Sequence, residues 1–410
     1  MSATLLRISC MFIATTLLLN GCGRANELNE LSIVTGSGID GKEGNYTVTY
    51  QVSVASANAS AAGGASGGSS QSGVHVFSTT GKTIRDTIFM SAVEHPRRLY
   101  FAHNNVLIIS KETAESGIST VLDSYFRNPE SREMVDVMVT DGKARDILTK
   151  NIPPEKLPGR AIAEIVDKEQ ILVSFYPATS VFQLALGITS ESQVASVPEI
   201  GISGENPKSL ETADAMTKTS QDAKVRMTGL VIFKGDRVVG KMNLKESLGL
   251  AWLTNRVKGT MLSFPNPDSS EEPNQSAVRV FKAKVKITPV KESTHYTIKL
   301  KAEVRGELAE TTTQEDLTDT AGIHKLERSI EKIILEQMQV GWEAAKAMKV
   351  DILGIGNRIH ERNPKEWNRL KSDWDQELAQ MELQAEVKMK VVRTRMFLDS
   401  FKHLLKQTEQ

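Results

Sequence analysis

The chain is short of the groups on which most enzyme centres are built. In 410 residues there are two cysteines, Cys10 and Cys22. Cys10 lies in an apolar leader, so removal of that leader leaves Cys22 alone, with no internal disulfide and no thiol placed in a folded body as a nucleophile. An excess of charge is missing too. The 50 basic and 50 acidic residues cancel to a formal net charge of +0, which gives no electrostatic footprint for nucleic acid or other polyanions. No apolar run reaches the roughly 20 residues that a spanning helix needs. The seven histidines, His75, His95, His103, His295, His324, His360 and His403, are scattered, and no two have the spacing of a helical or hairpin metal site. There is no GxSxG elbow around a serine. Glu130 and Glu133 fall in or beside a helix turn, and their spacing does not place them in one cleft. The sequence thus gives no positive support for a catalytic residue, a bound metal or a cofactor, and the chain is expected to be non-enzymatic.

What is present begins at the N-terminus. Arg7 precedes an apolar stretch from Ile8 to Leu19 that only Ser9, Thr15 and Thr16 interrupt. That is the layout of a signal peptide, expected over 1–21 and removed in the mature chain. Leu19-Asn20-Gly21-Cys22 looks like a bacterial lipobox: a branched apolar residue three before the cysteine, a small one just before it, and the thiol that receives a diacylglyceryl group. Asn20 is larger than the residue usual at its position. A lone thiol at the first mature residue of an exported protein has few uses besides acylation, so Cys22 is the expected lipidation site. Fatty chains contribute about 0.8 kcal/mol per buried methylene, and two of them hold a soluble body at a bilayer. The expected product is a lipoprotein tethered outside the cytoplasmic membrane.

A mature chain of roughly 390 residues exceeds what one core usually organises, so two or three domains are expected. Residues 22–200 read as a mixed α/β region, possibly two subdomains. A short strand at 31–35 and a half-buried one from Tyr46 open it. The stretch 55–73, ASANASAAGGASGGSSQSG, has no large apolar residue and reads as a mobile loop joining strands. GVHVFSTT is then a strand, GKTIRDTIFMSAVEH a helix, and LYFAHNNVLIIS from Leu99 a buried strand. ETAESGISTVLDSYFRNP reads as a helix, MVDVMVT as a strand and KARDILTKNI as a helix. Residues 201–223 are polar and read as a linker or long exposed connection. In 224–410, two strands meet at a hairpin through Lys234-Gly235-Asp236-Arg237. Two alternating strands follow from Val278 and His295, with Lys282, Lys284 and Lys286 on one wetted face.

A long helix is expected from about 320 to 348, with Ile323, Leu326, Ile330, Ile333, Ile334, Met338, Trp342, Ala345 and Met348 at spacings of 3 or 4 nearly throughout. Another opens at Pro364 and presents Trp367, Leu370, Trp374 and Leu378. MELQAEVKMKV then alternates strictly from Met381. This half reads as an antiparallel sheet packed on a long helix, so the fold class is α+β, or mixed α/β, in more than one domain.

Two glycine motifs invite a nucleotide reading. Gly36-Ser37-Gly38-Ile39-Asp40-Gly41 has the letters of a dinucleotide fingerprint, yet a strand follows where a helix must present its amides to the pyrophosphate. Its glycines are expected to serve a hairpin. Gly81-Lys82-Thr83 stands between a strand and a helix, but Val76 occupies the position where a phosphate-binding loop has its first glycine. Helix capping is the expected use. His103, inside the expected strand, reads as a satisfied core or strand-end histidine.

The ordered series of these segments carries a resemblance. The lipobox cysteine with LSIVTGSGID behind it, FSTTGKTIRDTI, RRLYFAHNNVLIIS, YFRNPESREMVDVMVTDGKARDIL, GLVIFKGDRVVGKM, the long helix, DILGIGNRIH and the final helix and strand are collinear over nearly the whole mature chain. In this series the chain resembles the Ger(x)C family, the lipoprotein C subunits of spore germinant receptors. Asn20 and the glycine/serine-rich insert at 55–73 depart from the pattern. The resemblance implies a three-domain mixed α/β protein on the outer face of the spore inner membrane. It also implies partnership with an A subunit and a polytopic B subunit in nutrient-triggered germination. The family carries over no catalytic residue, so Cys22 alone transfers as a functional position. The competing expectation is a solute-binding lipoprotein of a transporter, which requires two similar doubly wound lobes joined by hinge strands.

Overall fold

The computed structural model describes residues 27–54, 73–266, 275–292, 295–313, 317 and 319–393. The leader, Cys22 and nearly all of the glycine/serine-rich stretch lie outside the described residues.

Period-two apolar patterns in the first half gather into one mixed sheet of nine strands. They are β1 (Leu31–Lys42), β2 (Asn45–Ser53), β3 (Val74–Gly81), β4 (Arg98–Tyr100), β5 (Val106–Ser110), β6 (Asp136–Thr140), β7 (Val194–Gly204), β8 (Ala223–Lys234) and β9 (Arg237–Met242). The order is β3-β2-β1-β5-β6-β7-β8-β9, with β4 beside the start of β1. β1, β5, β6 and β7 run parallel, and antiparallel pairs close both sides. Every residue of β5 is buried, as a parallel strand covered on both faces requires. α1 (Ile84–Glu94), α2 (Lys111–Ser116), α3 (Ser119–Phe126) and α6 (Val181–Thr189) cover one face. α4 (Ala144–Leu148) and α5 (Pro158–Leu172) cover the other.

Several local expectations change here, each for a tertiary reason. The first strand does not end at 35 but runs on through its glycines to Lys42. Helix α4 lies so close that a Cβ on Gly38 would stand 2.8 Å from Ala144 Cβ and 2.9 Å from Leu148 Cδ1. Of the motif's glycines only Gly41 serves the hairpin, at φ +87° with Gly44 at +85°; Gly36 and Gly38, read as hairpin residues too, lie inside β1 against α4. The strand read over LYFAHNNVLIIS is two strands: β4 pairs with residues 31–33 of β1, β5 with residues 36–39. The chain turns between them, and His103 stands exposed in that turn. The helix read after Ser110 breaks at Gly117, φ +119°, into α2 and α3. The polar stretch 201–223, read as a linker, is the end of β7, two 3-10 turns and the first residue of β8. β7 and β8 are antiparallel neighbours, with Gly204 opposite Ala223. Leu210 and Ala215 pin this excursion to the body by burial.

The second half contributes α7 (Leu244–Leu253), β10 (Thr260–Pro265), β11 (Gln275–Lys291), β12 (Tyr296–Glu310), α8 (Thr320–Ala347), α9 (Ile355–Arg362), α10 (Pro364–Leu370), α11 (Trp374–Gln380) and β13 (Glu382–Arg393). The sheet order is β10-β11-β12-β13. Lys282, Lys284 and Lys286 lie on its exposed side as expected. Leu326, Ile330, Ile334, Met338 and Trp342 of α8 enter one core with the strands' apolar residues. The expected antiparallel sheet holds for β10, β11 and β12, but β13 joins β12 in parallel, Thr297 opposite Glu382. Four helices carry the chain back to the start of the sheet, and a parallel neighbour requires such a crossover. The two halves are a large mixed sheet and a small helix-backed one, not the similar doubly wound lobes that a solute-binding lipoprotein requires.

Candidate functional site

The one site residue expected from sequence, Cys22, lies outside the described residues. The structure does describe where the chain emerges behind it. Leu31 pairs with Arg98, and Ser32 with Leu99, along the short strand β4. Ser32 Oγ and His95 Nε2 are 2.6 Å apart. The first described strand therefore begins beside the C-terminal end of α1.

Helix α1 is built to stay in place. Thr83 caps it, its hydroxyl accepting from Asp86 N at 3.1 Å, the use expected of the Gly81-Lys82-Thr83 motif. Ile84, Thr87 and Ser91 face the core, and Thr79 Oγ1 donates to the carbonyl of Thr87 at 2.8 Å. The outward side is unusual: Phe89 is 77% exposed, Val93 76% and Met90 39%. A helix resting on a sheet normally turns a polar stripe to water. Beside it lies a hollow of about 590 Å³, lined by Arg85, Phe89, His95, Arg97, Arg98 and Glu130 among others. Arg98 is ion-paired with Glu130. Glu130 also accepts from Phe101 N at 3.4 Å. Burial, and then the nearby positive charges of His75 and Arg97, hold the His95 pKa below the ordinary imidazole value. Phe77 stacks on His95 with ring centroids 4.5 Å apart.

A second polar cluster spans the neighbouring strands β7, β8 and β9 and the end of β6, beside a cavity of about 240 Å³. Glu199, its side chain 2% exposed, accepts from Thr228 Oγ1 and pairs with Lys241 Nζ at 2.5 Å. Lys241 also reaches Asp141 at 3.4 Å, and Lys111 reaches Asp141 at 3.9 Å. Gly229 leaves room for this: a Cβ there would lie 2.8 Å from Lys241 Cε. The charges alternate in sign and neutralise one another, so the cluster ties the edge strand to the sheet and offers no free base.

The third polar feature joins the halves. Asp351, 4% exposed, accepts from Ser192 Oγ at 2.6 Å, Ile355 N at 2.8 Å and Gly356 N at 2.7 Å. Burial pushes its carboxyl up, against the lowering effect of those hydrogen bonds. Asn357 Oδ1 accepts from Ser192 N at 2.9 Å. Glu191 takes the indole N–H of Trp367 at 2.7 Å and pairs with His360 at 3.0 Å. Lys234 meets Asp375 at 2.7 Å. Helices α7 and α8 cross at Gly249 and Gly341, where backbone touches backbone. Sequence reasoning missed Asp351. Its signal was the run Asp-Ile-Leu-Gly-Ile-Gly before a helix, a carboxylate set to accept amides four and five residues on.

Other expected groups do not converge. His103 is solvent-exposed, His324 pairs with Glu327 at 3.0 Å on one helix, and Glu130 is taken by Arg98. Among the described residues no three His, Cys, Asp or Glu side chains gather as metal ligands would. Among those same residues no helix is long and apolar enough to cross a membrane.

Comparison with known proteins also finds two parts, although residues 228–242 of the first sheet fall in the second match. Residues 24–202 match the family described as spore germination protein N-terminal domain, and residues 228–395 the one described as spore germination B3/GerAC like, C-terminal. Spore germination protein KC of Bacillus subtilis is 24% identical over 404 residues, 97% of this chain and 98% of that one. Spore germination protein B3 of the same organism is 22% identical over 395 residues, 94% of this chain and 97% of its own. The crystal structure of the GerBC protein superposes with a TM-score of 0.53 at 17% identity, covering 90% of this chain and 100% of that one, which shows the shared fold. Matches to both domains, collinear from end to end, establish that the chain belongs to the Ger(x)C family of spore germination proteins, the C subunits of germinant receptors.

Proposed function

We propose that this chain is the lipid-anchored, non-enzymatic C subunit of a germinant receptor. In this reading it is held through Cys22 on the outer face of the spore inner membrane. There it docks an A subunit and a polytopic B subunit and is needed for nutrient-triggered germination. The observation that supports the reading most is the full-length match in both halves to spore germination proteins, with Cys22 two residues before the first matched domain. Two fatty chains on that thiol supply the membrane affinity that the described residues do not supply by a spanning helix. The body then acts through surfaces: the polar clusters within it are consumed by internal ion pairs and hydrogen bonds. For deletion experiments the first unit runs to Met242, because β8 and β9 complete its sheet, so the boundary expected at 201–223 moves to the start of α7.

The test has two parts. Mass spectrometry of the chain from spore membranes should find diacylglyceryl on Cys22, and Cys22→Ala should release the chain from the membrane fraction and slow nutrient-triggered germination. Spores with Cys22→Ala that germinate like the parent would remove the anchor from the mechanism. Crosslinking in intact spores, followed by detergent extraction through a tag on this chain, should recover the two membrane subunits. Recovery of a transporter permease instead would refute the receptor assignment.

A further inference from the structure

We propose that the outward face of α1, together with the 95–98 segment beside it, is a membrane-docking surface that rests on an anionic bilayer. The inference rests on the anchoring at Cys22 given above and names the part of the body that the anchor brings to the lipid.

Three observations converge on it. The first is apolar exposure where none is needed for folding. Phe89 and Val93, 77% and 76% exposed, are four residues apart on one side of α1, with Met90 next to them. The opposite side already fills the core through Ile84, Thr87 and Ser91. An aromatic and two aliphatic side chains on a helix lying in the interface plane are what a bilayer surface buries. The second is the character of the rim. Arg85 and Arg97 are exposed, and Arg98 is half-exposed and shares its guanidinium with Glu130. Arg85, Arg97 and Arg98 line the hollow of about 590 Å³ beside Phe89. Guanidinium groups at the edge of an apolar stripe suit lipid phosphates, to which they donate in pairs. Glu94 and Asp86 on the same helix limit the net charge, so the apolar stripe must supply a large share of the binding.

The third observation is position. β1 begins at Leu31, paired with Arg98, and Ser32 contacts His95. Cys22 precedes Leu31 by nine residues, which span at most about 30 Å when fully extended. An acylated Cys22 therefore keeps this corner of the body within roughly that distance of the bilayer. Other exposed apolar residues, such as Ile171 and Leu172 at the end of α5 or Leu186 on α6, have no such link to the chain's start. A polytopic protein partner on the same stripe is the rival occupant, and the experiment below separates the two.

The mature full-length chain is prepared with and without the acyl group and mixed with phosphatidylcholine vesicles, with or without phosphatidylglycerol. Hydrogen exchange should slow at exposed amides around 84–98 on the anionic vesicles and stay unchanged across the buried helix α8. Phe89→Ser with Val93→Ser should weaken vesicle partitioning of the non-acylated chain about tenfold. Arg85→Gln and Arg97→Gln should each weaken it about fivefold, and only on anionic vesicles. These residues are exposed, so unchanged thermal unfolding certifies the fold of the variants. An acylated chain that stays attached while 84–98 exchanges freely overturns the inference and leaves the anchor standing. Retained affinity in the Phe89/Val93 variant overturns it too. Protection that appears only when polytopic receptor subunits are added reassigns the stripe to protein contact. An unmodified Cys22 in spores would instead overturn the anchor, and the non-acylated vesicle result would still decide the surface.

Discussion

Replacing Asp351 by alanine tests the joint between the two halves most sharply. The carboxylate collects one hydroxyl and two amide donors at 2.6–2.8 Å in a place where it is 4% exposed. Alanine leaves Ser192 Oγ, Ile355 N and Gly356 N without an acceptor, and each buried orphan costs about 1–3 kcal/mol. Against that stands a gain. Burial holds the Asp351 carboxyl above its ordinary pKa, so desolvation already opposes the ionised form, and removing the group returns that penalty. The balance is a loss of about 3 kcal/mol for Asp351→Ala, with the lower end of the orphan range applied to all three donors. Asp351→Asn keeps an oxygen for Ser192 and Gly356 but turns an NH2 toward Ile355 N, and should lose about 1–2 kcal/mol. Ser192→Ala removes one donor and should lose about 1 kcal/mol.

Urea unfolding followed by tryptophan fluorescence reads these changes, since Trp342 and Trp367 are both buried in the second half. A double-mutant cycle between Ser192 and Asp351 should give a coupling of about 1 kcal/mol. Hydrogen exchange should rise around 190–193 and 351–357 in the alanine variant. Asp351→Ala with stability within about 1 kcal/mol of the parent, or additive with Ser192→Ala, would refute this account of the joint.

Two further outcomes follow from the same geometry. At Gly341 a Cβ would lie 2.5 Å from Gly249 C and 2.6 Å from Leu250 N, both backbone atoms that cannot yield. Gly341→Ala should therefore destabilise by about 2–3 kcal/mol, although alanine in a helix interior is ordinarily about 1 kcal/mol better than glycine. A raised Tm would refute the close crossing of α7 and α8. Burial pushes Glu169 up to about 7, against hydrogen bonds from Tyr176 N and Phe175 N, and pushes Asp136 up to about 7 with the charge of Asp167 adding to it. Both carboxyls hold their protons to higher pH in the folded chain than their ordinary values of 4.5 and 3.8 allow in the unfolded one. Their contribution is thus present below those unfolded values and is lost as pH rises toward about 7. Glu169→Gln and Asp136→Asn should gain stability relative to the parent across that window. A gain that shrinks with rising pH would contradict the assignment.

The sequence by itself determined what depends on neighbours a few residues apart. The spacing of apolar residues set α8, the turn Lys234-Gly235-Asp236-Arg237 set the β8–β9 hairpin, and the strict alternation after Met381 set β13 and its buried face. Thr83 was legible as a helix cap, and Gly41 as a hairpin residue rather than part of a cofactor loop, whereas Gly36 and Gly38 are strand residues that let α4 come close. The ordered segments also carried the family. Tertiary structure decided what depends on partners far along the chain. Alternation shows that one side of a strand is buried but not which strand lies beside it, so only the assembled sheet made β13 parallel to β12. For the same reason the polar stretch 201–223 could pass for a linker, although its flanks are hydrogen-bonded neighbours. Asp351 became a joint because the fold brings Ser192, 159 residues earlier, to 2.6 Å. The outward stripe of α1 was hidden for the opposite reason. Apolar residues on all sides of a short helix look like core in a sequence, and only packing shows which of them the core leaves uncovered.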